Sequence, residues 1–555
     1  MTILGGRLRA ALITALTAAL LGTAAAPTGV AGAAVERELA GGALFGAQID
    51  PITAPAFCDK LREDGSRSVS IFLSRGIIER NNGTLNTTGI DSRINPDLAC
   101  GLSVGVRVKP TTDPDTKSYL PQGAELDSYL SLLTQLATYL DGRASSYAID
   151  NESAAQAHFD GTADDYFELL RRSVAAIKAG DPDARVLDGT MASGNMTAVM
   201  VTDLYNQGRY GEAISLAQET QANELGGGAP VTDMDSLTAY VTNPRAVRSV
   251  NFFAGAVANQ ASYDAFQLHY YGPWRGQVEM IDYVRRNGIT LPIETWEVNH
   301  RYRDQRPFVE EDFAAETARL MITSAGEGSA FTVFSSYLGN AENNAVGLFT
   351  FDGSAPHLAR DSFRTITQKL TGATAAERLP VGGDAWGYLF ERPNLDPIAA
   401  AWADPGPARI GDELGIDSST ALITPAGGAP SHVRLSTLEI GPTPIFAEPD
   451  LVVLKRNGKT SRKKSKLKLN CPAASLKASC SGEVKVYRAL SKGTKRERAK
   501  RKQALGEAKF RVKRGETEKL KVRFDKRGLA GQAVAVTKPC TVKGKGGCKS
   551  WIDLR

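Results

Sequence analysis

Tyr147-Ala148-Ile149-Asp150-Asn151-Glu152-Ser153 is an apolar run that stops abruptly in polar residues, two carboxylates among them. The run reads as a buried β-strand whose C-terminal end carries chemistry. Working outward, seven similar strands are expected at Leu44 to Ile49, Ser68 to Leu73, Leu102 to Val108, Ala184 to Asp188, Ala265 to Tyr270, Ile293 to Glu297 and Phe331 to Ser335. Helical segments alternate with them. Leu126, Tyr129, Leu130, Leu133, Leu136, Ala137 and Leu140 keep the i, i+3, i+4, i+7 spacing of one buried helix face. A further helix starts at Thr162, a capping residue with Asp165 in the first turn, and ends at Gly180. Eight strand-helix units between residues 42 and 372 have the size of a (β/α)8 TIM barrel, an α/β fold. A doubly wound open sheet is the rival arrangement. Residues 190 to 260 form the longest insertion, centred on Gly226-Gly227-Gly228-Ala229-Pro230.

In a parallel barrel the C-terminal strand ends surround one cavity. Strand seven ends in Leu291-Pro292-Ile293-Glu294-Thr295-Trp296-Glu297-Val298-Asn299, so Glu297 is expected to face Glu152. Two such carboxyls suit glycosidic bond cleavage, in which one acid protonates the leaving oxygen and one anion meets the anomeric carbon. Asp150 and Glu294 are the rival carboxylates. Strand alternation puts Asp150 on the face of Glu152 and Glu294 on the face opposite Glu297, a structural position. No GxSxG elbow argues for a serine hydrolase. The five histidines lie far apart, without HExxH or CxxC spacing, so neither a metal nor a cofactor is expected.

Asn151-Glu152 on strand four, Pro292 with Glu297 on strand seven, and His269-Tyr270-Tyr271-Gly272 on strand six resemble the retaining glycoside hydrolases of the (β/α)8 clan A. A family-39-like layout, a barrel followed by a β-sandwich, is the nearest. The resemblance covers most of residues 42 to 372. It implies Glu152 as acid/base, Glu297 as nucleophile, Asn151 on the sugar 2-hydroxyl, and Arg75 after strand two as the group that keeps the nucleophile ionised. His269 joins the substrate site, and Tyr271 or Tyr270 donates to the nucleophile. Trp274 or Tyr337 is expected to stack on a sugar face. Two departures stand out: Ser153 follows the acid/base where proline or alanine is usual, and strand eight lacks the usual tryptophan. The alternative reading is an inactive carbohydrate-binding or cell-wall-associated protein on a barrel scaffold.

The 555 residues contain more than a barrel. Arg7 and Arg9, the apolar stretch Ala10 to Leu21 and the small residues after it fit a secretory signal peptide over residues 1–34, with the mature chain secreted, extracellular or cell-wall associated. No other stretch is apolar enough to suggest a transmembrane segment. In that setting the six cysteines read as disulfides in local pairs, Cys58 with Cys100, Cys471 with Cys480 and Cys540 with Cys548, though other pairings of the last four stay open. After the barrel (35–372), short turn-separated strands suggest a β-sandwich over 373–450 and an immunoglobulin-like β-domain over 451–555. The formal charge of +5 conceals an asymmetry. Residues 451–555 hold 32 Lys and Arg against 7 Asp and Glu, and residues 1–450 hold 34 against 54. Besides an oligo- or polysaccharide substrate, this basic tail suits an anionic cell-envelope polymer, and without a recognisable nucleic-acid module no nucleic acid is expected as a partner.

Overall fold

A computed structural model describes residues 36–555, apart from 82, 114, 224–229, 301–307, 340–346, 394–396, 411, 415, 418–419, 450–452, 457–463, 471–478, 489–503, 514–516, 525–529, 543–544 and 554–555. The expected signal peptide lies outside the described residues, as does most of the glycine-rich centre of the insertion. Ten strands open the chain: β1 (Glu36–Glu38), β2 (Leu44–Ala47), β3 (Ser68–Ser74), β4 (Ser103–Lys109), β5 (Ala144–Ile149), β6 (Val186–Asp188), β7 (Met191–Ala192), β8 (Phe266–Tyr271), β9 (Ile293–Asn299) and β10 (Phe331–Phe334). All eight expected barrel strands are among them.

The last nine form one parallel sheet in the order β6-β5-β4-β3-β2-β10-β9-β8-β7. Its ends come together where Leu187 bridges Ala265, with Asp264 N–H donating to Val186 O at 2.7 Å. The sheet is therefore curled into a TIM-like barrel, and an open doubly wound sheet is excluded. Helices cover its outside. Helix Ala124–Leu140 buries Leu126, Tyr129, Leu133, Leu136, Ala137 and Leu140 of the stripe expected from its spacing, with Leu130 half-buried at its edge. Helix Ala163–Gly180 begins with the capping box of Thr162 and Asp165. The insertion folds as the helices Ser193–Asn206, Tyr210–Asn223, Met234–Thr242 and Pro244–Ala258, more ordered than its composition suggests.

Side chains fill the barrel. Ala148, Leu187, Ala265, Trp296, Phe331 and Val333 make an interior cluster. Position 105 must be glycine for it: a Cβ there would lie 2.7 Å from the Trp296 ring.

Strands β11 (Ala375–Arg378), β12 (Ala385–Glu391) and β13 (Ile398–Ala403) begin a seven-stranded antiparallel sheet, and β1 joins it beside β11. That N-terminal strand is absent from the sequence reading. In the tail, Lys464–Asn470 pairs with Thr517–Arg523, and Ser479–Arg488 lies between Ala504–Lys513 and Ala530–Val542. Leu467, Leu469, Val484, Val486, Leu505, Phe510, Val512 and Val522 form a separate small core there. Cys58 and Cys100 are bonded, joining helices Ala54–Glu63 and Thr87–Ala99. The side chains of Cys471, Cys480, Cys540 and Cys548 lie outside the described residues. No helix among the described residues is long and apolar enough to cross a membrane.

Candidate active site

The end of β5 is held in an unusual conformation. Asp150 and Glu152 have φ of 68° and 50°, the two non-glycine residues with positive φ among the described residues. Each costs on the order of 1–3 kcal/mol, so the surroundings must impose it. Those surroundings are visible: Asp150 N–H donates to Val108 O, Ser153 N–H to Gly189 O and Ala154 N–H to Thr190 O. The Asp150 carboxyl is fully buried on Ser118 Oγ at 3.0 Å, and burial, partly offset by Lys109, raises its pKa to about 6. Asp150 thus braces the turn, while Glu152 turns its carboxyl into the barrel mouth and keeps partial exposure, 17%.

Glu297 arrives opposite by a different device. Between Gln267 and Tyr270 of β8, the facing stretch of β9 runs from Glu294 to Val298, one residue longer, and the pairing with β10 is irregular at the same place. Such a bulge breaks alternation and re-aims a side chain. Trp296 accordingly fills the barrel interior, and the next residue, Glu297, still reaches the mouth. The alternation rule used to set Glu294 apart fails across this bulge, since Glu294 accepts from the Trp296 indole at 2.7 Å. Its structural role stands on other grounds, because it is fully buried and paired with Arg185.

A carboxylate oxygen of Glu152, one of Glu297 and a nitrogen of His269 lie within 4.8 Å of one another. His269 Nδ1 is 2.9 Å from Glu152 and 3.7 Å from Glu297. His158, from the loop after β5, brings Nε2 to 3.4 Å from the other Glu152 oxygen. The Tyr271 hydroxyl donates to Glu297 and lies 2.9 Å from Ser335 Oγ. Tyr271 is therefore the inward tyrosine, whereas the Tyr270 hydroxyl donates to Pro273 O.

The cation at Glu297 is Arg107, and the expectation of Arg75 is corrected. Arg75 pairs with Glu79 at 2.5 Å and Glu125 at 3.5 Å, outside the site. Arg107, on β4 and fully buried, donates to Glu297, to Asn151 Oδ1 at 3.0 Å, to Ser70 Oγ at 2.8 Å and to Trp296 O at 3.3 Å. Burial alone would raise the pKa of Glu297. Arg107, His269 and the Tyr271 hydroxyl outweigh that and hold it well below the usual carboxylate range. The arginine leaves a trace in the sequence: in Val104-Gly105-Val106-Arg107-Val108-Lys109 the valines take one face and Arg107 the other, and a buried-strand arginine requires an anion. The same arginine already neutralises Glu297, which disfavours a metal ion at the Glu152, His269 and Glu297 trio.

Two expected platforms are corrected as well. Trp274 is 2% exposed and packs on Trp402 and Trp386, with ring centroids 5.0 Å and 5.4 Å away. Tyr337 is fully buried against Phe57 and Phe349, and its hydroxyl donates to Asp64 at 2.9 Å. Neither offers a face to a sugar. Besides Arg107 and His158, the sequence reading missed Arg248 of the insertion. Its guanidinium donates to the carbonyls of Ser153, Ala154, Phe159 and Gly161 and so fixes the loop that carries His158.

With this geometry in view, solved structures give a match. A family 39 glycoside hydrolase from the gut symbiont Bacteroides cellulosilyticus WH2 superposes with a TM-score of 0.50 at 13% identity, covering 74% of this chain and 81% of that one. In fold, the chain is similar to that enzyme. A family 39 β-xylosidase from Caulobacter crescentus gives 0.45 at 14% identity, covering 75% and 97%, and a glucosidase from Croceicoccus marinus gives 0.45 at 16%, covering 90% and 95%. No protein-family model matches the chain, and no curated protein matches it in sequence.

Proposed function

We propose that the chain is a secreted retaining glycoside hydrolase that cleaves O-glycosidic bonds by double displacement. One observation carries the reading: Glu152 and Glu297, at the ends of β5 and β9, bring carboxylate oxygens within 4.8 Å, and a buried arginine keeps Glu297 ionised. Retaining enzymes separate their carboxyls by ~5–5.5 Å, and inverting ones by ~6.5–9.5 Å to admit a water. Glu297 attacks the anomeric carbon while Glu152 protonates the departing oxygen. A glycosyl-enzyme forms, Glu297 loses its charge, and Glu152 then takes a proton from the water that releases the sugar. Asn151 Oδ1 is held by Arg107, which leaves the amide N–H groups to donate to a sugar hydroxyl.

In this reading the barrel is a (β/α)8 catalytic domain, the seven-stranded sheet a β-sandwich accessory, and the basic tail an immunoglobulin-like module that meets an anionic polymer of the cell envelope. The test is the anomeric configuration of the first product, followed by NMR on aryl glycosides. Retention is expected, with Glu152→Gln and Glu297→Gln each reducing kcat by about 10³-fold or more and leaving the fold intact. A product of inverted configuration, or an active Glu297→Gln variant, would refute the assignment.

A further inference from the structure

The two sheets of the tail treat charge in opposite ways. Where Ser479–Arg488 meets Ala504–Lys513, charges face their opposites: Lys485 is in register with Glu507 and Glu483 with Lys509, and Lys485 lies 3.6 Å from Glu507 and 3.3 Å from Glu483. Where Lys464–Asn470 meets Thr517–Arg523, like faces like: Lys464 is in register with Arg523, Lys466 with Lys521 and Lys468 with Lys519. Lys455 of Val453–Arg456 is in register with Lys468, which extends the row to a third strand. The intervening Ser465, Leu467, Leu469 and Val522 are buried, so Lys464, Lys466, Lys519, Lys521 and Arg523, all exposed, share the outer face.

Directly opposed like charges destabilise a sheet. The neighbouring sheet shows that opposite-sign pairs fit the same small domain. We propose that this outer face is a docking surface for a linear acidic polysaccharide whose carboxylates lie along the cationic rows. Alternate residues of a strand repeat every ~6.7 Å and adjacent strands lie ~4.8 Å apart, so the rows form a flat grid that an extended chain of like charges can follow. No aromatic residue occupies these positions, so the face reads charge and does not stack on sugars or bases, which sets it apart from single-strand nucleic-acid platforms. Lysine, a compact and freely rotating charge, suits spaced carboxylates without requiring the bidentate geometry of arginine. The choice of a glycan over another polyanion rests on the glycosidase reading of the barrel.

The experiment measures binding of the full chain to polygalacturonate, dextran and duplex DNA at increasing salt, with hydrolysis of an aryl glycoside read on the same preparation. Polygalacturonate should bind, with affinity falling about tenfold or more between low and moderate salt, and dextran should not bind. Combining Lys466→Gln, Lys519→Gln and Lys521→Gln should weaken binding at least about tenfold and flatten the salt dependence. Hydrolysis should be unchanged, and the melting temperature unchanged or higher because repulsion is removed. The control Lys485→Gln with Lys509→Gln, on the other sheet, should change binding less than about twofold. Equal losses in control and face variants, full binding by the face variant, or tighter binding to DNA would overturn the proposal. Binding that behaves as expected in a protein inactive on every glycoside would leave the docking face standing and sink the barrel's assignment.

Discussion

At the residue scale, the site depends on one buried arginine. Arg107 touches both the candidate nucleophile and Asn151, and its charge keeps Glu297 anionic. On the proposed mechanism, as pH falls through the depressed pKa of Glu297 the carboxylate takes a proton and can no longer act as nucleophile, so the acid limb of kcat/KM should lie below the ordinary glutamate value of 4.5. Arg107→Gln should move that limb upward by about one unit or more. An unmoved limb in an otherwise active variant would show that Glu297 is not the group reporting there. The resemblance to clan A implies an arginine after strand two, which is Arg75. The correct one sits inside a strand, where alternation points it inward, a clue that outranks proximity to a strand end. Asp97 makes a second prediction. Both of its carboxylate oxygens are buried without a hydrogen-bond partner, and burial, with Asp50 adding to it, raises the pKa from 3.8 to about 7. Between those values the folded chain keeps a proton that the unfolded chain gives up, so stability falls as pH rises from 3.8 to 7 and is level above that. Asp97→Asn, which resembles the protonated acid, should be near neutral at pH 4 and stabilise by about 2 kcal/mol or more at pH 8 in urea unfolding. Equal effects at the two pH values would exclude a titrating Asp97.

At the element scale, the strands were legible and the way they present their ends was not. Short β-branched and apolar segments bounded by turns marked all eight barrel strands, most of whose residues are buried on both faces of a parallel sheet. The bulge in β9 and the positive φ at Asp150 and Glu152 leave no comparable signal, since bulged and left-handed residues here are ordinary ones and not glycine. The glycines at the centre of the insertion hide, in the sequence, the helices on either side. Those helices reach the site through Arg248, whose four carbonyl partners span Ser153 to Gly161. Arg248→Met removes the guanidinium that lies over the Phe252 ring and leaves the four carbonyls without their donor. It should lower kcat by about tenfold or more through the loop that carries His158, with a smaller change in melting temperature. An unchanged kcat would mean that the loop holds its shape without the insertion.

At the scale of the whole molecule, the division near residue 372 is one of fold and not of packing. A single hydrophobic core includes Phe45, Val106 and Phe334 of the barrel together with Ala376, Tyr388, Phe390, Trp402 and Phe446 of the seven-stranded sheet. Trp274, expected in the site, sits at this junction against Trp402, and helix Glu310–Gly326 comes so close to the sheet that a Cβ at position 326 would lie 2.4 Å from the Tyr388 ring. Glu327, 1% exposed, is held by Arg37 from β1, by Arg378 from β11 and by the Tyr388 hydroxyl. Separating sheet from barrel would therefore expose apolar surface and strip this enclosed carboxylate of its partners at once. The tail has its own core, and among the described strand pairs Ile416–Asp417 with Ala530–Val542 joins it to the region before residue 450. Calorimetry should therefore show barrel and sheet unfolding together in one transition, with any separate transition belonging to residues beyond 450. Trp402→Ala should cost about 3–5 kcal/mol by opening a cavity at the junction, and should lower that common transition by several degrees, with the proposed hydrolysis of aryl glycosides lost on heating at the same lowered temperature. If Trp402→Ala instead splits the transition and activity persists to the original temperature, the sheet is an independent unit, and a barrel cut off after residue 372 should then fold and work by itself.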